Sequence, residues 1–292
     1  MPENRRISIC IPAYQAARWV ATAIESATHQ TVAPSEVIVS DNWSTDGTSV
    51  IVERYRDRVR VVRPPEHLSM SDHYWYLAER ASGDYVVWLD ADNALHSRFV
   101  ETVAPLAGRY AMIATGRFDC DSGLRPVGYS GLGYLGQKSC GPGHLFPQFL
   151  QGCRHSHSGT AWERSWILSL PRLPREAEYV IDWYLGVVTA AQRSISMLAA
   201  PRHYYRYHDE NASHSEPDRW RRSAGAMLAW LASLDLLDAG RRDEVRRRAN
   251  LLAAESDRDR RQPSLPSRGR QAARVAVSSL ACRMHRRPAY LK

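Results

Sequence analysis

Short apolar runs alternate with segments of helical spacing through the first third of the chain. The strand-like runs are residues 8–11, 36–40, 59–62 and 85–89. The segments with helical spacing follow them at residues 16–28, 48–55, 69–81 and 98–106. Nearly continuous apolar strands between helices are typical of a parallel sheet that helices cover on both faces. The pattern therefore predicts an α/β fold with a mostly parallel sheet flanked by helices.

The pattern changes in the middle of the chain. Residues 111–171 are rich in Gly, Ser, His and aromatic residues and contain only short strand-like pieces, so we expect a loop-rich, variable region there. Periodic order then returns, and it predicts a helix at residues 182–192, a strand at 195–198, and helices across 217–238 and 241–256.

Positive charge is concentrated at the C-terminal end. The net charge is +8 over 292 residues. Residues 241–292 hold 15 basic and 5 acidic side chains, a net of +10, which leaves −2 for the first 240 residues. A nearly neutral body argues against a nucleic-acid groove. For residues 257–292 two interpretations stay open, a solvated tail or an arm that contacts an anionic membrane surface.

Cysteine usage and hydropathy bear on the compartment. The five cysteines form neither an even framework nor a C-x-x-C pattern, so we expect reduced thiols. The apolar run near the N-terminus is too short for a signal sequence, and no stretch approaches the length of a membrane span. We therefore expect a cytoplasmic protein, with peripheral contact at the inner membrane face if the basic tail binds lipid.

Polar clusters follow three of the predicted strands, at residues 12–15, 41–48 and 90–93. In open parallel sheets, ligands bind beyond the carboxyl ends of the strands. A turn with a helix cap would explain residues 44–48. It would not explain Asp41, because a carboxylate at the end of a buried strand is costly unless it binds something.

Asp90 and Asp92 follow the most apolar strand and stand two residues apart. Side chains at this spacing point the same way on an extended segment, so the two carboxylates repel each other unless a cation lies between them. Oxygen ligands suit Mg²⁺ or Mn²⁺. The alternative is an acidic turn that starts a helix.

Three segments, at residues 8–15, 41–48 and 83–92, together resemble the signatures of the family-2 inverting glycosyltransferases with a GT-A fold, in order and in spacing. The resemblance covers about residues 5–210. It implies a nucleotide-sugar-binding and catalytic domain at residues 1–215. We further expect an acceptor-side variable region at 116–171, a helical extension at 216–256, and a basic linker and tail at 257–292.

The resemblance also implies a role for individual residues. It assigns nucleotide-sugar binding to Pro12, Ala13, Tyr14, Asp41, Asp90 and Ala91. It implies that Asp92 binds a divalent metal, Mn²⁺ or Mg²⁺, with His208 as a further candidate ligand. Asp182 corresponds to the catalytic base of the family, although a helix cap is a compatible role for it.

Several positions depart from the family pattern, and two histidines lie outside its motifs. Gln15 stands where Asn is usual, Asn42 where a second Asp is frequent, and Ile181 where Glu usually precedes the base. In the helix before Gly83 the family often has an Asn near the donor, whereas the stretch at residues 72–76 of this chain is aromatic, which implies a different donor selectivity. His155 and His157 lie in a Gly/Ser-containing segment, and we expect them on the acceptor side rather than on a metal.

The predicted function is transfer of a hexose, with inversion, from a UDP-, TDP- or GDP-linked donor to a hydroxyl group. The acceptor is a glycan, a lipid-linked molecule or a small molecule. A sugar-nucleotide-binding relative without transfer activity is the main alternative, and the presence of Asp90, Asp92 and Asp182 disfavours it. A nucleotidyltransferase would carry a Gly-rich, Arg-containing loop after the first strand, and residues 12–17 are not such a loop. The lack of spanning segments disfavours a membrane-bound processive synthase.

Overall fold

The computed structural model describes residues 5–130, 138–209, 211 and 217–261. Its strands are β1 (Ile7–Ala13), β2 (Glu36–Asp41), β3 (Arg60–Val62), β4 (Tyr85–Trp88), β5 (Ala94–Leu95), β6 (Met112–Cys120), β7 (Pro126–Ser130), β8 (Lys138–Cys140), β9 (Thr160–Glu163) and β10 (Ile195–Arg206). Its α-helices are α1 (Val20–Thr28), α2 (Thr48–Glu53), α3 (Met70–Arg80), α4 (Phe99–Val103), α5 (Phe146–Leu150), α6 (Arg164–Leu168), α7 (Ile181–Gln192), α8 (Pro217–Ser233) and α9 (Ala239–Arg261).

The strands form one ten-stranded sheet in the order β3-β2-β1-β4-β9-β6-β10-β5, with β7 beside β6 and β8 beside β10. The four strands from β3 to β4 are parallel, and so is the long pairing of β6 with β10. The shorter strands β5, β7, β8 and β9 pair antiparallel with their neighbours. The predicted α/β architecture with a mostly parallel sheet is confirmed.

The strand register brings the polar clusters together at one edge of the sheet. Ala13 at the end of β1 pairs with Asp41 at the end of β2, and Cys10 pairs with Trp88 at the end of β4. The amide of Asn42 also donates to the carbonyl of Ala13, at 2.8 Å. The loops that follow these strands therefore open on the same side, as expected for parallel strands.

Two hydrophobic clusters cover the two faces of the sheet, which explains why its strands are apolar at successive positions. In β4, Val86 and Trp88 belong to one cluster, while Tyr85 and Val87 belong to the other. Successive side chains of a strand point to opposite faces, so a strand covered on both sides is apolar throughout. The first cluster also holds the fully buried indoles of Trp162 and Trp183.

The expectation of a loop-rich region at residues 111–171 was wrong for the described part of it. These residues form β6, β7, β8, β9, α5 and α6. Strand β9 lies inside the sheet, between β4 and β6. Elements of three to five residues are too short to show a periodicity, which is why the pattern missed them. The assignment of residues 116–171 to the acceptor side stays a prediction.

Helix α1 begins at Val20, four residues later than the apolar spacing suggested. The chain before it is held by tertiary hydrogen bonds, since the amide of Ala16 donates to Thr48 Oγ1 at 2.8 Å and that of Ala17 to Asp46 Oδ2 at 2.9 Å. Strand β10 is longer than the predicted 195–198 because it continues alongside β6 to Arg206.

The C-terminal helices α8 and α9 pack against the rest of the chain rather than standing apart from it. Met227, Leu228 and Leu231 of α8 lie in the first hydrophobic cluster together with Trp183. The indole of Trp220 stacks on that of Trp183, with ring centroids 5.5 Å apart. Within the described residues, no helix combines the length and the apolarity that a membrane span requires. Residues 257–261, predicted to begin the basic linker, instead complete α9, and the rest of the predicted tail at 257–292 lies outside the described residues.

Candidate active site

A cleft of about 1240 Å³ opens at the carboxyl edge of the sheet. Its walls come from the loops after β1, β2 and β4, from residues 66–74, from residues 153–157, and from the beginnings of α7 and α8. Nine of the predicted site residues line this cleft: Pro12, Tyr14, Asp90, Ala91, Asp92, His155, His157, Asp182 and His208. Ala13 and Asp41 lie behind the wall, at the buried ends of β1 and β2.

The carboxylate of Asp41 is 3% exposed and has one oxygen without a hydrogen-bond partner in the described part of the chain. Its Oδ1 accepts from the amide of Ser44 at 3.1 Å, and its Oδ2 lies 3.6 Å from the guanidinium of Arg63. The same guanidinium packs over the indole of Trp43, 4.2 Å from the ring centroid. A buried acceptor without a donor is costly, so Asp41 Oδ2 is suited to an N–H of a ligand.

Gln15 and Asn42, which depart from the family pattern, hold the loops of the cleft in place. The side chain of Gln15 exchanges hydrogen bonds with Thr45, and the backbone amide of Gln15 donates to Ser44 Oγ at 2.9 Å. The side-chain amide of Asn42 makes two hydrogen bonds to the backbone of Leu68, both at 2.9 Å. Both side chains thus tie loops together that lie far apart in the sequence.

Asp90 is enclosed by donors. Tyr74 donates its hydroxyl to Oδ1 at 2.6 Å, and Ser158 donates to Oδ2 at 2.7 Å. Asn93 adds a longer contact to Oδ2, at 3.3 Å. Burial raises the pKa of Asp90, the nearby charge of Asp92 adds to the rise, and the two hydroxyl donors and His157 oppose it. Each oxygen of Asp90 therefore has a protein partner.

Asp92 and His208 come together although 116 residues separate them. Asp92 Oδ2 lies 3.1 Å from His208 Nε2 and accepts from Asn211 Nδ2 at 3.2 Å. Asp92 Oδ1 is buried and has no partner within the described residues. The backbone carbonyl of Asp92 accepts from the guanidinium of Arg206 at 2.6 Å, which holds the turn after β4 in place.

A divalent cation fits this pair of side chains. The orphaned oxygen of Asp92 is a hard ligand, and an imidazole beside it suits Mn²⁺. The described residues contain no group of three His, Cys, Asp or Glu side chains that could hold a metal alone. A metal here would therefore take most of its ligands from a bound ligand and from water.

Asp182 lies in the first turn of α7 and is not its N-cap, because the helix begins at Ile181 and Val180 occupies the cap position. The helix-cap alternative was therefore wrong. Its Oδ1 accepts from the amide of Trp183 at 2.7 Å, and its Oδ2 accepts from the thiol of Cys153 at 3.3 Å.

The two histidines of the 153–159 segment differ in their environments. His155 packs against Trp162, and burial lowers its pKa to about 4, with His157 adding to the fall and Asp182 opposing it. His157 is 8% exposed and stacks parallel on the indole of Trp88, at 5.2 Å between centroids. Neither ring nitrogen of His157 has a hydrogen-bond partner within the described residues.

Several side chains that hold the site together carry no recognisable signal in the sequence. Cys153 and Ser158 reach Asp182 and Asp90 from a segment with no periodicity, and Asn211 reaches Asp92 from beyond β10. Tyr74 belongs to the aromatic stretch that was singled out only as a departure. Their hydrogen bonds span 16 to 119 residues, so only the tertiary fold shows them.

Comparison with known sequences supports a common origin for the first half of the chain. Residues 8–142 match the family described as Glycosyl transferase family 2. TuaG of Bacillus subtilis, named as a teichuronic acid biosynthesis glycosyltransferase, is 32% identical over 90 residues, which are 30% of this chain and 36% of that protein. EpsE of the same organism, named as a glycosyltransferase, is 26% identical over 123 residues, which are 40% of this chain and 44% of EpsE. The chain thus spans less than half of the length of these relatives.

Solved structures show the same fold. TarS residues 1–349 from S. aureus align with a TM-score of 0.63 at 15% identity, over 95% of this chain and 79% of TarS. The TarS complex with UDP aligns with a TM-score of 0.60 at 15% identity, over 82% of this chain and 69% of that one. Glucosyl-3-phosphoglycerate synthase from Mycobacterium tuberculosis, solved with Mn²⁺ and UDP-glucose, has a TM-score of 0.50 at 24% identity, over 77% and 78% of the two chains. At these identities the likeness shows the fold alone.

Proposed function

Because this chain belongs to the family-2 glycosyltransferases, through its residues 8–142, and has the GT-A fold, we propose that it transfers a sugar from a nucleoside diphosphate to an acceptor hydroxyl group. The observation that carries the proposal is the convergence of Asp90, Asp92 and Asp182 on one cleft. Two of these carboxylates follow β4, and the third lies in the first turn of α7.

For the donor we propose a UDP-sugar, with TDP- and GDP-sugars as the other candidates. The solved structures of TarS and of the mycobacterial synthase include complexes with UDP or UDP-sugars. In this chain Asp41 Oδ2 has no hydrogen-bond donor within the described residues, although it lies 3.6 Å from the Arg63 guanidinium, and it would accept from an N–H of the base. Tyr14, which is 52% exposed and packs edge-on against His67, supplies an aromatic surface beside it.

We propose that Asp92 and His208 hold a divalent metal, Mn²⁺ or Mg²⁺, together with the donor diphosphate. The bound metal would neutralise negative charge on the departing diphosphate. Asn211 and the guanidinium of Arg206 hold the Asp92 turn in place through its side chain and its backbone, respectively. Asn211 also fixes His208, because its Oδ1 accepts from the His208 amide at 2.7 Å.

The proposed reaction is a single displacement with inversion. The acceptor oxygen forms a bond to the anomeric carbon while the bond from that carbon to the diphosphate oxygen breaks. The acceptor proton passes to the carboxylate of Asp182, and the nucleoside diphosphate leaves with the electron pair. Asp90 is a poor candidate for a covalent nucleophile, because Tyr74 and Ser158 occupy its two oxygens. With both oxygens of Asp90 occupied, a single displacement assisted by Asp182 is favoured over retention through a covalent intermediate.

The acceptor side of the cleft is formed by the C-terminal half of the chain. Leu173, Arg175, Tyr179, Arg219 and Trp220 line it beside Asp182. This mixture of aromatic and cationic side chains suits a hydroxyl-bearing glycan, lipid-linked or small-molecule acceptor. We further propose a cytoplasmic location, which the absence of a disulfide among the described cysteines supports. Contact of residues 257–292 with an anionic membrane belongs to the same proposal.

The first experiment measures hydrolysis of a panel of UDP-, TDP- and GDP-sugars by the purified chain, as nucleoside diphosphate released with Mn²⁺ or with EDTA. Water replaces the acceptor in this assay, so the acceptor need not be known. We expect turnover with Mn²⁺ that EDTA abolishes. Asp182→Asn lowers it by about 10²- to 10⁴-fold, the usual contribution of a general base.

The matched control is Asp57→Asn, which neutralises an exposed carboxylate away from the cleft and leaves the rate unchanged. If no donor is hydrolysed, calorimetry with the same panel decides between the alternatives. Binding without turnover, even with candidate acceptors present, would indicate a sugar-nucleotide-binding relative without transfer activity. No binding to any donor would refute the proposed function.

A further inference from the structure

The carboxylate of Asp182 is held at both of its oxygens. The amide of Trp183 donates to Oδ1 at 2.7 Å, and the thiol of Cys153 donates to Oδ2 at 3.3 Å. The neighbouring position, where the family pattern usually has Glu, is Ile181, which is 3% exposed and has no polar group to offer. The thiol is therefore the side-chain donor to this carboxylate within the described residues.

The proton of the Cys153 thiol has three acceptors within reach. Sγ lies 3.3 Å from Asp182 Oδ2, 3.4 Å from the carbonyl oxygen of His155 and 3.7 Å from His155 Nδ1. An ionised acceptor makes a stronger hydrogen bond than a neutral one. The carboxylate therefore attracts the proton more strongly than either neutral group of His155.

The protonation states of the two neighbours agree with this arrangement. Burial raises the pKa of the Cys153 thiol, and the charge of Asp182 raises it further, so the sulfur keeps its proton. Burial lowers the pKa of His155 to about 4, so its imidazole is neutral near pH 7. A thiolate–imidazolium pair does not form, and Cys153 is not a nucleophile.

We propose that Cys153 is a positioning residue for Asp182, whose thiol fixes the rotation of the carboxylate and leaves its remaining lone pairs directed at the cleft. The proposal rests on the proposed role of Asp182 as the base. With the Trp183 amide alone, the carboxylate could turn about its side-chain bonds. A donor on each oxygen removes that freedom, and a fixed base is what proton transfer requires.

The same short segment reaches the other end of the site. Ser158 donates to Asp90 Oδ2 at 2.7 Å and accepts from the amide of Asp90 at 3.1 Å. Residues 153–158 thus contact the nucleotide-side carboxylate through a hydroxyl and the proposed base through a thiol. This segment therefore sets the position of Asp182 relative to Asp90.

The kinetic test compares Cys153→Ala, which removes the donor, with Cys153→Ser, which restores one. The readout is hydrolysis of the UDP-sugar that the wild-type chain turns over. We expect Cys153→Ala to lower kcat roughly tenfold, as for the loss of a hydrogen bond to a charged group, with KM for the donor within about twofold. Cys153→Ser recovers most of the rate. Cys140→Ala, at a partly buried cysteine outside the cleft, keeps the wild-type rate.

A spectroscopic test does not depend on turnover. Hydrogen bonding lowers the S–H stretching frequency, and the infrared difference between the wild-type chain and Cys153→Ser isolates the Cys153 band from those of the other cysteines. In an Asp182→Asn background we expect this band at higher frequency, because a neutral amide oxygen is a weaker acceptor.

These outcomes separate the two proposals. A Cys153 band that Asp182→Asn does not move refutes the positioning role, and so does a Cys153→Ala variant with wild-type kcat. A Cys153→Ser variant that folds normally but is as slow as Cys153→Ala also refutes it, since the donor is then not what matters. If the band moves but no nucleotide sugar is hydrolysed or bound, the proposed function fails while the thiol–carboxylate contact stands.

Discussion

Replacing Tyr74 by Phe tests how the enclosed carboxylate of Asp90 is stabilised. The change removes the hydroxyl that donates to Asp90 Oδ1 at 2.6 Å and leaves the ring in its packing against Trp88. A hydrogen bond to a charged group contributes about 1.5–3 kcal/mol, against about 0.5–1.5 kcal/mol for a neutral pair. We therefore expect Tyr74→Phe to lower the free energy of unfolding by about 2 kcal/mol near pH 8.

The loss should depend on pH in a defined direction. Burial already raises the pKa of Asp90 in the folded chain, and the Tyr74 hydroxyl opposes that rise. Below the pKa of Asp90 in the unfolded chain, the carboxyl is protonated in both states and only a neutral hydrogen bond is lost. As the pH rises through the higher pKa of the folded state, Asp90 ionises without its donor and the destabilisation grows by about 1 kcal/mol.

The assay is urea unfolding followed by circular dichroism, at about pH 8 and at the lowest pH where the wild-type chain is folded. Tyr110→Phe is the matched control, because no hydrogen bond of its hydroxyl is seen in the described structure, and its effect should stay within about 0.5 kcal/mol. In an Asp90→Asn background, Tyr74→Phe should cost only what a neutral hydrogen bond contributes. An equal cost in both backgrounds at every pH would refute the reasoning.

One further prediction concerns packing next to the 153–158 segment, and another concerns a wall of the cleft. Gly159→Ala places a methyl group against the buried imidazole of His203. We expect it to lower the free energy of unfolding by about 1–3 kcal/mol, whereas Gly152→Ala, with open space around it, changes it by less than about 0.5 kcal/mol. Both are measured by urea unfolding, and equal effects would contradict the packing argument. Asn42→Ala removes both hydrogen bonds to Leu68 and should weaken UDP binding by roughly tenfold in calorimetry. An unchanged affinity for UDP would show that the hydrogen bonds between Asn42 and Leu68 do not contribute to nucleotide binding.

The alternation of apolar runs and helical spacing was enough to predict the sheet, because strands covered on both faces must be apolar at successive positions. The placement of Asp41, Asp90 and Asp92 also followed from the sequence. Parallel strands end at one edge, and the register of β1 with β2 and β4 brings the three loops together there. Local pattern and the geometry of parallel strands therefore determined the fold class and one side of the site.

The other side of the site was decided by tertiary structure. The thiol of Cys153, the hydroxyl of Ser158 and the amide of Asn211 reach their carboxylates across 29 to 119 residues of sequence. No periodicity links positions so far apart. The insertion of β9 between β4 and β6 likewise depends on pairing partners that lie far away in the chain. The sequence by itself determined where the carboxylates stand, whereas packing alone decided which side chains hold them, because those contacts exist only between distant segments.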